Sequence, residues 1–63
     1  MVINIVFYQD PEPEDCNVVN VFKYKKDAKN WLEQSGWWFD TDYCIWHNPS
    51  SRGFIEILER ELR

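Results

Sequence analysis

Val21-Phe22-Lys23-Tyr24-Lys25-Lys26-Asp27-Ala28-Lys29-Asn30-Trp31-Leu32-Glu33-Gln34-Ser35-Gly36 is the stretch in which the hydrophobic period changes from two to 3.6. On its N-terminal side, Asn17 to Tyr24 reads as a strand, with Val19 and Val21 on one face and Val18 and Phe22 on the other. On its C-terminal side, Ala28, Trp31, Leu32 and Ser35 fall at i, i+3, i+4 and i+7, the spacing of one helix face. Lys25, Lys26, Lys29, Asn30 and Glu33 are left for solvent. Asp27 in the first turn suits the positive end of the helix dipole, and Gly36 can take the positive φ that stops a helix. The pattern predicts a helix over 25–35.

Toward the N-terminus, residues 2 to 8 are dense in β-branched and aromatic types. This suits a strand with Ile3, Ile5 and Phe7 on one face and Val2, Val6 and Tyr8 on the other. Because both faces are apolar, the strand is expected to be central and covered on both sides. Gln9 to Asn17 holds Pro11, Pro13 and four carboxylates and is expected to be a loop, since proline removes ladder donors and close like charges repel.

Toward the C-terminus, Trp37 to Phe39 and Tyr43 to His47 are β-prone, and Asp40-Thr41-Asp42 interrupts them as a turn or bulge would. One broken strand over 37–47 is expected. Asn48 to Gly53 concentrates turn formers and predicts a hairpin loop. Phe54 to Arg63 admits a strand or a helix with Glu56–Arg60 and Glu59–Arg63 pairs. The turn before it favours a strand over 54–59, with 60–63 fraying or turning helical. The fold class is therefore α+β in a single domain, 1–63. One helix packs on a three- or four-stranded, mainly antiparallel sheet, in the order β-β-α-β-β or β-α-β-β.

The chain has 63 residues, so it buries only about 60% of the surface its unfolded form exposes. With 44% hydrophobic and 17% aromatic residues it is not disordered, and no run approaches the roughly 20 apolar residues of a membrane span. The net charge of −4 is unevenly spread. Residues 1–22 carry only Asp10, Glu12, Glu14 and Asp15, whereas Lys23, Lys25, Lys26 and Lys29 cluster around a single Asp27. An acidic balance speaks against nucleic-acid binding, and the lysine cluster is the one feature in its favour. Two cysteines, Cys16 and Cys44, fall short of a disulfide scaffold, and no secretory signal precedes them. A cytoplasmic location with both thiols free is expected.

Val21-Phe22, Ala28, Trp31, Leu32 and Gly36, followed by an aromatic strand and the closing Phe-Ile-Glu-Ile-Leu-Glu, resemble small uncharacterised proteins of bacteria and their phages. The likeness covers about residues 18–61 and consists mostly of periodicity. In those proteins Ser or Thr opens the helix, where this chain has Tyr24. The resemblance implies a compact β-α-β-β fold and a phage or prophage origin, and it transfers no catalytic residue.

Catalytic and metal chemistry find little to build on. Cys44 and His47 are half of a zinc site at most, and only Cys16 and a carboxylate remain to complete it. On one strand, residues 44 and 47 point to opposite faces, which disfavours a Cys/His nucleophile pair. With only Gly36 and Gly53 there is no glycine-rich phosphate loop. No catalytic residue, metal or cofactor is assigned, and no enzyme activity is expected.

The aromatics carry the functional signal. Eleven rings exceed what so small an interior needs, and the surplus gathers between Trp37 and Trp46. On a strand, one of the adjacent Trp37 and Trp38 must point away from the core. Exposed Trp and Tyr dominate interface hot spots. Trp37, Trp38, Tyr43 and Trp46, with the acidic Asp40, Asp42, Glu12 and Glu14, are the expected partner-binding residues. The partner is a host protein or a second copy of the chain. The expected function is a protein-binding module, a phage-type inhibitor or modulator. The alternatives are a nucleic-acid binder through Lys23–Lys29 and a small metal or thiol protein.

Overall fold

The structure, a computed structural model, describes residues 1–62. The strands β1 (Val2–Gln9) and β2 (Asn17–Phe22) form a hairpin, and the helix α1 (Lys25–Gln34) follows. Three more strands complete the chain: β3 (Trp38–Asp40), β4 (Ile45–His47) and β5 (Phe54–Glu61). They form one five-stranded sheet in the order β2-β1-β5-β4-β3, and every neighbouring pair is antiparallel. The α+β class holds, while the sheet has one strand more than the sequence reading allowed. Among the described residues no helix is long and apolar enough to cross a membrane.

The extra strand comes from 37–47, which is a hairpin and not one broken strand. Asp40 makes the difference: its Oδ1 accepts hydrogen bonds from the backbone N–H groups of Asp42 and Tyr43, at 2.9 and 3.4 Å, and closes a turn on its own backbone. Cys44 ends that turn at φ 55°, a left-handed conformation that returns the chain beside β3. The C-terminal segment is a strand, as its turn chemistry predicts, but it runs on to Glu61. Pairing with β1 from Val2↔Glu61 to Gln9↔Phe54 stabilises its far end. Arg63 lies outside the described residues.

The helix forms where the period changes. Tyr24 takes the N-cap position and offers no side-chain hydrogen bond. The C-terminus is closed more thoroughly: Trp37 N–H donates to the Leu32 carbonyl and Gly36 N–H to that of Glu33, with Gly36 at φ +88°. This double bond turns the chain out of the helix and straight into β3. Ser35, expected on the buried face, is exposed and gives its hydroxyl to the Trp31 carbonyl.

The core lies between the helix and one face of the sheet. Val6, Ala28 and Leu32 are fully buried there, with Ile55 and Trp46 nearly so, and Phe22 packs on Trp31 at 5.9 Å between ring centroids. Among the described residues Asn4 is the one buried polar side chain, and it is satisfied by donating to the Lys23 carbonyl at 3.2 Å. β1 is an inner strand beside the central β5, and only its Asn4, Val6 and Tyr8 face is roofed. Its Ile3, Ile5 and Phe7 face has no element packed over it among the described residues, contrary to the two-sided cover expected. The expected parity of β2 also fails. The register shifts between Val6 and Phe7, so Val18 and Val21 both fall on the open face, opposite Phe7 and Ile5.

Candidate functional site

The β3–β4 hairpin forms one edge of the sheet, and it presents three exposed rings. Trp38 is 52% exposed, Phe39 43% and Tyr43 75%. Alternation places Trp38 and Phe39 on opposite faces of a three-residue edge strand, and Tyr43 stands in the turn.

The hairpin is braced from within. His47, directly opposite Trp38, lies 4.9 Å from it between ring centroids, and its Nε2–H donates to Asp40 Oδ2 at 3.1 Å. Asp40 therefore uses one oxygen on the turn and the other on the neighbouring strand. On the other face Phe39 packs on Trp46 at 5.3 Å. Because these partners hold their orientation, little conformational freedom remains to be lost when a partner covers the rings.

Between the hairpin and α1 lies a cleft of about 280 Å³, lined by Lys25, Lys29, Phe39, Cys44, Trp46 and Ile57. Its floor is aromatic and aliphatic, and two ammonium groups one helical turn apart stand at its edge. Lys25 is partly neutralised by Glu59 at 3.5 Å. The volume sits just below the roughly 300–1,000 Å³ of small-molecule sites and suits a single inserted side chain.

The expected partner-binding residues separate into three groups. Trp38, Tyr43, Asp40 and Asp42 share the hairpin. Trp37 turns inward and meets the Tyr8 ring edge-on at 6.3 Å, so it is half-buried, and Trp46 is 3% exposed and belongs to the core. That is a correction for Trp46: β4 is an inner strand whose helix-facing position it fills. Glu12 and Glu14 are exposed on the loop after β1, which is separated from β3 by two intervening strands, roughly 14 Å at ordinary strand spacing. Phe39 and the cleft behind it were not among the expected site residues. The signal for them was the three-residue length of β3, too short to bury both of its faces.

The other candidates are scattered. Cys16 contacts the backbone of Asp10, Cys44 Sγ points to the Thr41 carbonyl, and both thiols are free. Among the described residues no three His, Cys, Asp or Glu side chains group as a metal site. Within the lysine cluster, Lys23 and Lys26 lie over the Tyr24 ring at 5.5 and 5.9 Å, while Lys25 faces Glu59.

The loop after β1 has its own ion-pair centre. Asp10, with a nearly buried side chain, accepts the Tyr8 hydroxyl at 2.6 Å and pairs with Arg52 at 3.1 Å. The Tyr8 hydroxyl, then the Glu12 N–H, then Arg52 hold the Asp10 carboxyl below its ordinary range, against the opposing effect of burial. Asp10 in turn raises the Arg52 guanidinium.

Comparison of the chain with protein-family models, curated proteins and solved structures finds no match.

Proposed function

We propose that this is a small non-enzymatic protein-binding module that engages its partner through the β3–β4 hairpin. The observation that carries the proposal is the exposure of Trp38, Phe39 and Tyr43 on a hairpin braced by Asp40 and His47. Large rings held by a neighbour, as Trp38 is by His47 and Phe39 by Trp46, gain contact area on binding at low entropic cost. Asp42 at the turn supplies negative charge, which favours a partner with basic groups around an apolar patch. The cleft behind Phe39 accepts one side chain of that partner. A partner carboxylate entering it meets Lys29 and Lys25. The phage-type modulator of a host protein remains part of the proposal and rests on the sequence resemblance over residues 18–61. A cytoplasmic setting fits the two free thiols.

The test is affinity capture from a host lysate with the native protein and with a Trp38→Ala, Tyr43→Ala variant. Both side chains are mostly exposed, so the variant should melt within a few degrees of the native protein. Proteins retained by the native chain and lost by the variant are the expected result. Equal recovery by the two rules out the hairpin as the binding edge.

A further inference from the structure

The face of the sheet opposite the helix is the largest feature that the hairpin does not use. Cross-strand pairing places its residues in rows: Ile3 beside Arg60, Ile5 between Val21 and Leu58, Phe7 between Val18 and Glu56, and Gln9 beside Phe54. His47 and Trp38 continue the last row toward the hairpin. Val18 and Val21 are about half exposed, and Ile3, Ile5, Phe7, Phe54 and Leu58 are only partly covered by one another.

We infer that a second copy of the chain occupies this face, packed sheet on sheet about a twofold axis that crosses the strands at the Ile5–Leu58 row. Two observations select a second copy over other occupants. The first is charge. Along the open face of β5, Glu56 and Arg60 stand two residues to either side of Leu58, each roughly 7 Å from it. A twofold axis across the strands at Leu58 reverses the strand direction in the partner. It sets Arg60 of each copy against Glu56 of the other and Ile3 against Phe7, with Leu58 and Ile5 meeting their own counterparts. Both charges on this part of the face are thereby paired by the face itself. Glu56 already accepts a hydrogen bond from Gln9, which holds its carboxylate in place, and among the described residues Arg60 donates to the carbonyl of the preceding residue.

The second observation is area. Strands about 4.8 Å apart rising about 3.3 Å per residue give the face a footprint of roughly 400 Å² per copy. The two footprints together come to about 800 Å², the scale of weak, transient association rather than of a permanent dimer. Aligned sheet packing keeps strand directions within about 30°, close enough for these rows to meet.

The experiment is sedimentation equilibrium at low ionic strength, from about 5 to 500 μM, a range that brackets micromolar association. It compares the native chain, Glu56→Arg, Arg60→Glu, and the double variant carrying both. Circular dichroism checks that each is folded. A monomer–dimer equilibrium is expected for the native chain. Each single change should weaken it by about tenfold, because two unlike pairs become two like pairs. The double variant should return to within about threefold of native, since the pairs are re-formed with their signs exchanged. A native chain that stays monomeric at 500 μM overturns the inference and leaves the face to a foreign protein. A dimer indifferent to all three variants also overturns it, by placing the contact elsewhere. So does a double variant as weak as the worse single change.

Discussion

On the helix side of the sheet, Val6 and Leu32 are wholly buried and Ile55 and Trp46 nearly so, while on the other side Ile5, Phe7 and Leu58 stay partly open. The two faces alternate along the same strands, residue by residue, and both are apolar on β1. Only one of them has a helix to meet. A single ten-residue helix cannot roof five strands on both sides, so among the described residues one face of the sheet carries no packed element. The contrast separates hydrophobic residues that hold the monomer together from those available for association.

Substitutions on the two faces test that contrast most directly. Leu32→Ala should cost about 3 kcal/mol, because a fully buried leucine leaves a cavity as well as lost transfer energy. Against the marginal stability of so small a domain, that is most of what it has. Ile5→Ala, measured in dilute solution, should cost less, about 1–2 kcal/mol, since part of its side chain is already hydrated and the open face leaves room to relax. Urea denaturation of both variants at low concentration reads the difference. Similar costs at the two positions would break the comparison. A cost for Ile5→Ala that grows with protein concentration would sharpen it, by showing that the open face is covered in the dimer.

An effect smaller than that of Leu32→Ala is expected where β5 begins. Gly53 is buried, and a Cβ there would run into the Gln9 carbonyl oxygen and the Tyr8 phenol. Backbone cannot yield as a flexible side chain can, so Gly53→Ala should cost about 2 kcal/mol through strain on the helix-side end of β1. Thermal melting measures it. If the variant melts with the native protein, the Tyr8 end of the covered face is looser than the packing around Gly53 implies.

The unequal faces also explain what was legible in the sequence. The helix was readable because Ala28, Trp31, Leu32 and Gly36 obey one period and one stop signal, all local. The strand character of 54–61 followed from alternation and the turn before it. The β3–β4 hairpin is not decided by the sequence because Asp40-Thr41-Asp42 suits a turn as well as a bulge within one strand, and only the Asp40 carboxylate closing on the Asp42 and Tyr43 N–H groups selects the turn. Which face of β1 the helix would cover had no local signal: Ile3, Ile5 and Phe7 are as apolar as Val6 and Tyr8. The β2 register shift was equally hidden, since a bulge depends on the partner strand. The exposure of Trp38 and Tyr43 was legible from the aromatic excess and from alternation at the adjacent Trp37 and Trp38. Trp46 misled for the same reason, because an excess says that some rings are outside and not which ones.

The weakest effect expected is a dependence on pH, at the end of the covered face where Tyr8, Asp10 and Arg52 meet. The folded chain holds Asp10 below its ordinary carboxylate value, mainly through the Tyr8 hydroxyl and the Glu12 N–H. A group whose folded value is depressed contributes stability above its unfolded value, near pH 4, and loses that contribution as the pH falls through the folded value. Acid should therefore loosen this end of the sheet as the pH falls from Asp10's ordinary value through its depressed folded one, where the carboxyl takes up its proton and no longer draws in Arg52. Asp10→Asn removes the titration but keeps a side chain that can still meet Tyr8. Its melting temperature should fall less steeply than that of the native protein between pH 5 and pH 3, and it should start lower at pH 7. Parallel curves for the two proteins would mean that the acid response belongs to other carboxylates. Gly53→Ala supplies the cross-check, because displacing the Tyr8 ring removes the strongest influence on Asp10. In that background the Asp10→Asn change should alter the acid slope less than it does in the native chain.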